Sequence, residues 1–381
     1  MKLKMTMILM NKVKVVTIVG TRPELIKLSR IIALLDKNVD HYLIHTGQNH
    51  DYELNEIFFK DLKIRNPNHY LNCVGKDAVH TISNIIKKTY DILKKIKPDC
   101  ILIYGDTNSC LSSFSAKKLK IPIFHMEAGN RSFDENIPEE INRRIIDHIS
   151  DVNMVITEHA RRYLSNEGIP QDRVFCTGSN MIEVLSHYKK SINSSSILKK
   201  LNLAKSNYFV LSIHREENVD NIRNLKDMVQ TINEIAKTFK KKIILSNHPR
   251  TKERLIKNNL KLHKNINVLK PLGFFDYIKL QQNAYCVISD SGTITEESSI
   301  LNFPAITIRK SHERPEGFDE GILIMSGLKY KRVIESIKVT RNLLSKKNKI
   351  DHKENLVSKK VLKIILSYTD KIKRDVWKIE D

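Results

Sequence analysis

Two short glycine-containing turns, far apart in the chain, have the residue types that bind phosphate. Residues 20–24 (Gly-Thr-Arg-Pro-Glu) follow the apolar run 13–19, and residues 290–292 (Asp-Ser-Gly) follow the apolar run 284–289. A strand that ends in such a turn and leads into a helix presents backbone N–H groups and the positive helix end to an anion. One such site in each half of the chain predicts two nucleotide-binding folds that share one phosphorylated ligand.

The side chains around these turns fit the same chemistry. Arg22 and Lys27 follow the first turn and are candidates to bind a phosphate. In the second turn, Ser291 and Gly292 leave the backbone open to close approach, and Glu297 is placed to reach a sugar or ribose hydroxyl. The first pair has a structural alternative as surface charges at a helix start. In the second turn, a capping box between Thr293 and Glu296 is the competing interpretation.

Three carboxylates stand at successive strand ends or helix starts: Asp106, Glu127 and Glu139. Carboxylates gathered at one sheet edge perturb each other's pKa, as acid–base chemistry requires. Each residue alone is weak evidence, and Asp106 has the alternative role of a helix cap. Together they predict proton-transfer chemistry.

A fourth cluster begins where an apolar run stops at His214 and Arg215. A histidine at a strand end is easily poised for proton transfer near neutral pH, and the neighbouring arginine favours a functional role over a structural one. The 14 histidines form no His-x-x-x-His pair with a third ligand nearby, and no Gly-x-Gly-x-x-Gly sequence is present. Neither a metal site nor a nicotinamide site is therefore expected.

Strand-like and helix-like runs alternate along the chain, which predicts βαβ units and parallel sheets. Helices are expected from Ile82 to Ile96 and from Ile222 to Phe239, where apolar residues recur at spacings of three and four. The polar segment 189–207 is the expected linker. The expected domains are 1–188, joined by a C-terminal helix at about 358–381, and 208–357. Strands are expected at 13–19, 41–46, 100–104, 122–125, 153–157, 173–177, 208–213, 242–246, 266–269, 285–289 and 305–308.

Composition excludes some classes of protein. The 381 residues suit two domains, and no run approaches the length of a membrane span. The net charge of +22 raises a nucleic-acid hypothesis, but the lysines are spread over helix-like segments without interleaved aromatics. We therefore expect a solvated basic surface and no nucleic-acid or membrane partner. Five scattered cysteines, with no Cys-x-x-Cys pair, predict free thiols and a cytoplasmic protein.

With these motifs in order, the chain resembles the non-hydrolysing UDP-N-acetylglucosamine 2-epimerases. The resemblance runs from about residue 13 to 330. It implies an α/β, GT-B-like fold of two Rossmann-like, doubly wound domains, with the ligand in the interdomain cleft. The matching segments are 20–24, 105–107, 127–129, 138–143, 214–216, 290–292 and 313–316.

The resemblance also implies a reaction and assigns roles. Proton abstraction at C2 and anti elimination of UDP give a 2-acetamidoglucal, and UDP then adds back with inverted configuration at C2. No cofactor or metal is implied, and a homodimer is expected. The implied acid–base residues are Asp106, Glu127 and Glu139, with His214 near the departing diphosphate. The implied ligands of the UDP-sugar are Arg22, Lys27, Arg143, Arg215, Ser291, Gly292, Glu297 and Arg314.

Some residues depart from the family pattern. The chain has Thr293 and Asn130 where family members usually have Gly and Leu. These and other variants resemble the capsule and O-antigen branch, which acts on UDP-6-deoxy-N-acetylhexosamines toward UDP-N-acetyl-L-fucosamine. They also fall where relatives bind a second, activating UDP-sugar, so that site is not expected. A GT-B glycosyltransferase is the more distant alternative, and a UDP-sugar incubation without acceptor separates it from an epimerase.

Overall fold

A computed structural model describes residues 12–48, 58–213, 221–247, 254–343 and 356–379. The chain divides into two compact units. Unit 1 comprises Met1–Gly129, Glu135–Asn180 and Leu356–Asp381, and unit 2 comprises Asn130–Asp134 and Met181–Asn355. The chain therefore leaves unit 1 and returns to it twice.

Unit 1 is built on a parallel seven-stranded sheet in the order β3-β2-β1-β4-β5-β6-β7. The strand order reverses between β1 and β4, which is where ligands bind in open parallel sheets. The strands are β1 (Lys14–Val19), β2 (Asp40–His45), β3 (His69–Tyr70), β4 (Cys100–Tyr104), β5 (Ile123–Ala128), β6 (Val152–Val155) and β7 (Val174–Cys176).

Helices, numbered here along the chain, cover this sheet because their apolar faces need burial. Ile85 and Leu93 of the second helix are fully buried and lie in one core with Val16, Ile44 and Ile103. Two short 3₁₀ helices, Asn108–Ser112 and Gln171–Arg173, complete the connections. The helices are α1 (Arg22–Asn38), α2 (Ala78–Ile96), α3 (Ser113–Lys118), α4 (Pro138–Ile149), α5 (Glu158–Asn166) and α14 (Val357–Asp375).

The C-terminal helix α14 belongs to unit 1 and packs against α1. Its Val361, Ile365 and Ile372 are buried. Lys373 Nζ binds Asp99 at 2.5 Å, and the other oxygen of that carboxylate accepts the backbone N–H of Lys14 at 2.8 Å. The helix is therefore fastened near the amino ends of β1 and β4, on the edge opposite their carboxyl ends.

Unit 2 contains a second parallel sheet, in the order β10-β9-β8-β11-β12-β13. Its strands are β8 (Tyr208–Ile213), β9 (Lys242–Asn247), β10 (Ile266–Leu269), β11 (Cys286–Ser289), β12 (Ala305–Thr307) and β13 (Ile324–Met325). Its helices are α6 (Met181–His187), α7 (Lys189–Ser194), α8 (Ile197–Lys200), α9 (Ile222–Phe239), α10 (Phe274–Asn283), α11 (Ile294–Leu301), α12 (Glu316–Asp319) and α13 (Tyr330–Asn342).

The expected fold class of two Rossmann-like α/β domains is confirmed, but two details differ. Segment 189–207, expected to be a linker, forms α7 and α8 within unit 2, because Ile192 and Ile197 are buried despite the surrounding serines. The two-residue strands β3 and β13 at the sheet edges were not expected, since two residues carry no periodic signal.

Candidate active site

The turn after β1 is closed by Glu24, which sequence reasoning treated only as part of a motif. Thr21 and Glu24 form a capping box at the start of α1. The Glu24 carboxylate accepts the backbone N–H of Gly20 at 2.5 Å and the hydroxyl of Thr107 at 2.5 Å. Burial raises the pKa of Glu24 to about 7, although these hydrogen bonds act in the opposite direction. Glu24 thus ties the first turn to the loop that carries Asp106.

Gly20 is required at this turn by space. A Cβ added there would collide with the hydroxyl groups of Ser109 and Thr46, which hydrogen-bond to each other at 2.7 Å. Arg22 begins α1, and its guanidinium lies 5.7 Å from the ring centre of Phe58. The expected glycine turn and helix start after β1 are therefore present in unit 1.

Lys27 contacts one of the predicted acid–base residues directly. Its Nζ donates to Glu127 Oε2 at 2.7 Å, and the two side chains are 6% and 14% exposed. The ammonium also lies 5.1 Å from the ring centre of Tyr104. Asn180 donates to the backbone carbonyl of Lys27 at 2.5 Å and accepts the Tyr104 hydroxyl at 3.2 Å. Sequence analysis expected Lys27 at the UDP-sugar, but here it holds the Glu127 carboxylate.

The backbone at Glu127 is strained. Its φ is +64°, a value that residues other than glycine rarely adopt, and the β5–β6 register shifts between Met126 and Ala128. Such a bulge redirects a side chain at the end of a strand. Strain of this kind persists only where the surroundings impose it, and it concentrates at functional sites. The bulge is thus consistent with a functional Glu127.

Asp106 is held by Arg143 of α4. Arg143 donates from Nε at 2.9 Å and from its second terminal nitrogen at 2.6 Å, both to Asp106 Oδ2. The first terminal nitrogen donates to the fully buried Glu140 at 2.7 Å. Asn142 donates to the backbone carbonyl of Asp106 at 2.9 Å. Sequence analysis placed Arg143 at the substrate, whereas the structure buries it against two carboxylates.

Asp106 does not cap the following helix, which was its alternative role. The cap of the following 3₁₀ helix is Thr107, whose side chain accepts the backbone N–H of Ser109 at 3.3 Å. Glu139 is half-buried in the first turn of α4, where the helix dipole favours a negative charge. Because β4 and β5 are adjacent parallel strands, Asp106, just after β4, and Glu127, near the end of β5, lie at the same edge of the sheet.

In unit 2, the turn after β11 is closely packed. Asp290 is fully buried, and its backbone N–H donates to the carbonyl of Ser212 at 3.2 Å. The hydroxyls of Ser291 and Thr293 hydrogen-bond to each other at 3.0 Å. A Cβ at Gly292 would collide with the Glu313 carboxylate, so no other residue fits there without a shift. The turn is thus tightly packed around Gly292.

Two buried arginines flank this turn. Arg314 lies 3.2 Å from Glu296 Oε2, so Glu296 contacts an arginine rather than forming the alternative capping box with Thr293. Arg309, which sequence reasoning missed, lies 2.5 Å from Glu313 Oε2. The sequence feature that could have identified Arg309 is its position two residues after β12, at the same sheet edge as the turn. Each arginine is paired with a buried carboxylate, and the Arg309–Glu313 pair lies beside Gly292.

Glu297 is buried in unit 2, and its Oε2 accepts the side-chain amide of Gln281 at 2.8 Å. His214 and Arg215 lie outside the described residues, directly after the end of β8. Among the described residues, no group of three or more His, Cys, Asp or Glu is arranged to hold a metal ion. In the same part of the chain, no helix is long and apolar enough to cross a membrane.

Comparisons with known proteins place this arrangement among relatives. The family model for UDP-N-acetylglucosamine 2-epimerase matches residues 33–365. The UDP-N-acetylglucosamine 2-epimerase of Methanocaldococcus jannaschii is 39% identical over 338 residues, which cover 86% of this chain and 92% of that protein. The UDP-2,3-diacetamido-2,3-dideoxy-D-glucuronate 2-epimerase of Pseudomonas aeruginosa is 32% identical over 333 residues, covering 86% of this chain and 92% of that protein.

Two solved structures are similar over nearly the whole chain. The UDP-N-acetylglucosamine 2-epimerase of Rickettsia bellii has a TM-score of 0.90 and 49% identity, covering 97% of this chain and 100% of its own. The Methanocaldococcus jannaschii enzyme, solved in complex with UDP-GlcNAc and UDP, has a TM-score of 0.88 and 37% identity, covering 93% and 99%.

Proposed function

The chain belongs to the UDP-N-acetylglucosamine 2-epimerase family, and on that basis we propose that it inverts C2 of a UDP-N-acetylhexosamine. Members of this family are isomerases that act on UDP-sugars. One observation carries the proposal further. Asp106 follows β4 and Glu127 lies near the carboxyl end of the adjacent β5, and each carboxylate is held by a buried cation, Arg143 or Lys27. Two oriented carboxylates are what proton removal and proton return require.

The proposed reaction removes the C2 proton of the sugar while UDP leaves from C1, giving a 2-acetamidoglucal. UDP then adds back to C1, and C2 receives a proton on the opposite face. Asp106, Glu127 and Glu139 supply the acid and base groups, and His214 is proposed to assist the departing diphosphate. Because an acid–base pair acts only within hydrogen-bond reach, the fixed orientation of these carboxylates contributes directly to the rate.

We assign Arg143 and Lys27 to positioning. Two nitrogens of the planar Arg143 guanidinium donate to one oxygen of Asp106, which limits rotation of that carboxylate. Lys27 holds Glu127 through the 2.7 Å contact between Nζ and Oε2. This assignment differs from a direct role in binding UDP, and the two roles predict different losses when either cation is removed.

UDP itself is proposed to bind unit 2 at the turn of Ser291 and Gly292. Its diphosphate carries negative charge that grows as UDP leaves, so nearby cations stabilise it in the transition state. Arg314 and the newly identified Arg309 provide that charge. Glu297 is proposed to accept a ribose or sugar hydroxyl. Arg22 and Arg215 complete the proposed set of UDP-sugar ligands.

UDP-N-acetylglucosamine is the proposed substrate, supported by the relatives named above. A UDP-6-deoxy-N-acetylhexosamine is the alternative. The Pseudomonas aeruginosa relative, named for a UDP-diacetamido-glucuronate, shows that relatives are named for more than one UDP-sugar. NMR of the purified protein with each sugar, without cofactor or acceptor, tests both. C2 inversion supports the proposal, whereas transfer that occurs only after an acceptor is added supports a glycosyltransferase.

A homodimer and a cytoplasmic location are further parts of the proposal. Ile141 and Ile145, one turn apart on α4, are 52% and 42% exposed, and Phe114 of the adjoining α3 is 46% exposed. Exposed apolar side chains on neighbouring helices suit an interface between copies. The five cysteines are free thiols, as in reducing compartments. Light scattering of the purified protein tests the dimer.

A further inference from the structure

A buried histidine lies next to the proposed active site without a role in the reaction described above. His125 is in β5, two residues before Glu127, and is fully buried. Its Nε2 lies 2.9 Å from the backbone carbonyl of Gly105, the residue before Asp106. A carbonyl only accepts, so Nε2 carries a proton and donates it to Gly105. The ring therefore fixes the peptide that leads into Asp106.

The other side of the imidazole faces a buried carboxylate. His125 Nδ1 lies 3.0 Å from Asp147 Oδ1, with side-chain exposures of 1% and 0%, although the geometry departs from a straight hydrogen bond. Asp147 is on α4, and its two oxygens lie 3.3 and 3.1 Å from the backbone nitrogen of Gly129, which donates to them. Asp147 therefore fixes the backbone two residues after Glu127.

The pair thus joins two loops whose backbone is conformationally demanding. Gly105 and Gly129 have φ values of +69° and +78°, and Glu127, two residues before Gly129, has a φ of +64°. Glycine adopts such angles without cost, but glutamate does so only when its surroundings impose them. The strand bulge at Glu127 is flanked by His125 on one side and by the Asp147-bound amide of Gly129 on the other.

We propose that His125 and Asp147 form a positioning pair that sets the geometry of Asp106 and Glu127 relative to each other. The inference rests on the proposed function of those two carboxylates. Neither member of the pair is exposed, so they act through the backbone of the two loops rather than on the sugar. Loss of the pair lowers turnover and loosens both loops, while the UDP-binding residues of unit 2 are untouched.

Conservative and non-conservative substitutions separate positioning from charge. The amide nitrogen of Gln reaches about as far as the Nε2 of His, so His125→Gln keeps a donor for the Gly105 carbonyl and His125→Leu does not. Asp147→Asn keeps an acceptor for the Gly129 amide and gains an N–H for Nδ1, whereas Asp147→Leu keeps neither. Both polar variants should retain most of the turnover, and each leucine variant should lose about 10²-fold in kcat.

A second buried histidine provides the matched control. His41 in β2 contacts Asp36 at 2.5 Å and Thr17 at 2.8 Å, and its side chain is 1% exposed. It lies near the amino end of its strand, away from the proposed site. His41→Leu reports the general effect of losing a histidine–aspartate contact elsewhere in the unit, and kcat of its folded fraction should stay near that of the wild type.

Three readouts decide the proposal: kcat, the Kd of UDP by calorimetry, and hydrogen–deuterium exchange without ligand. In His125→Leu and Asp147→Leu, exchange should rise both at 105–108 and at the Gly129 amide, and the double variant should be no slower than the worse single one. UDP affinity should change less than threefold in each case.

Several results would overturn the positioning pair: unchanged exchange in both loops, wild-type kcat in the leucine variants, or a loss of UDP affinity equal to the loss of kcat. Asp147→Asn as inactive as Asp147→Leu would also overturn it, because a role of the charge itself would then be shown. If the wild-type protein fails to invert C2, the proposed function fails, and the exchange measurement still decides whether the pair holds the two loops.

Discussion

Lys27 and Glu127, 100 positions apart in the sequence, meet in a 2.7 Å ion pair at the carboxyl edge of the first sheet. Lys27 lies on α1 and Glu127 on the strand bulge of β5. The pair joins the motif after β1, read from sequence as a phosphate site, to the proposed acid–base group. In the proposed function, Lys27 of the first motif therefore positions an acid–base carboxylate.

Replacing Lys27 separates these two roles. Lys27→Met removes the charge but keeps the apolar stem, so Glu127 loses its partner and kcat should fall by about 10²-fold. The Kd of UDP should change less than threefold. Lys117→Met is the matched control, since Lys117 binds the buried Asp151 at 2.6 Å within the same unit. A large loss of UDP affinity in Lys27→Met would instead support the direct contact with UDP expected from sequence.

Arg143 allows a similar test of Asp106. Lysine cannot reproduce the two N–H contacts with Asp106 together with the third to Glu140, so Arg143→Lys should lower kcat at least about tenfold. UDP affinity should remain near that of the wild type. Steady-state kinetics and calorimetry on the same preparation measure both. Equal losses in kcat and in UDP affinity would show that Arg143 binds the substrate, as sequence analysis placed it.

The buried Glu24 predicts a pH-dependent stability. Below about pH 4.5 its carboxyl is protonated in both states. Between 4.5 and 7 the unfolded chain ionises while the folded protein keeps the proton, because the folded pKa is about 7. The free energy of unfolding therefore falls as pH rises through this window, by up to about 3 kcal/mol, and is level above it.

Glu24→Gln removes this dependence. We expect the Tm of the variant minus that of the wild type to increase from pH 5 to pH 7 and then to stay constant, because the amide does not ionise. Other titrating groups cancel in the difference. Scanning calorimetry at half-unit pH steps makes the measurement, and a difference that does not vary with pH would contradict the raised pKa.

The two arginines of unit 2 should control UDP binding. Arg314→Ala and Arg309→Ala remove charges beside the Ser291 turn, and each should weaken UDP binding by about 1.5–3 kcal/mol. Asp106→Asn and Glu127→Gln, which lie in unit 1 and are nearly isosteric, should leave UDP affinity unchanged. Calorimetric titration of UDP into the four variants tests the split. If Asp106→Asn and Glu127→Gln lose as much UDP affinity as the arginine variants, the acid–base assignment of these two carboxylates is wrong.

His214 extends the sequence prediction beyond the described residues. If it assists the departing diphosphate, His214→Ala should lose about 10²-fold or more in turnover while remaining folded. Near-normal turnover in a folded variant would mean that the histidine has a structural role only.

Much of the fold followed from the sequence because alternating apolar runs report local structure directly. All expected strands that lie among the described residues are present, with shifts of up to three positions at their ends. The strands β3 and β13 were not predicted because each has only two residues. Segment 189–207 was predicted to be a linker because it is rich in serine, but its Ile192 and Ile197 are buried in two helices. The local pattern of apolar residues does not predict contacts that form only when distant segments fold together.

The sequence singled out the residues that are proposed for the site but not the contacts that they make. Strand-end motifs identified Asp106 and Glu127, but their partners Arg143 and Lys27 lie 37 and 100 positions away. The positive φ of Glu127 has no sequence signal, because glutamate is not a residue that favours it. Arg309 was missed because its place just after β12 does not reveal its neighbour, and only the folded sheet brings it beside Gly292.

The most direct test of the central claim is the reaction in deuterated water. NMR of UDP-N-acetylglucosamine with the wild-type protein should show deuterium at C2 of the product sugar and a new C2 epimer, without added cofactor. Asp106→Asn and Glu127→Gln should slow both by at least about 10²-fold while still binding UDP. Turnover that leaves C2 unlabelled, or carboxamide variants that exchange C2 at the wild-type rate, would contradict the account.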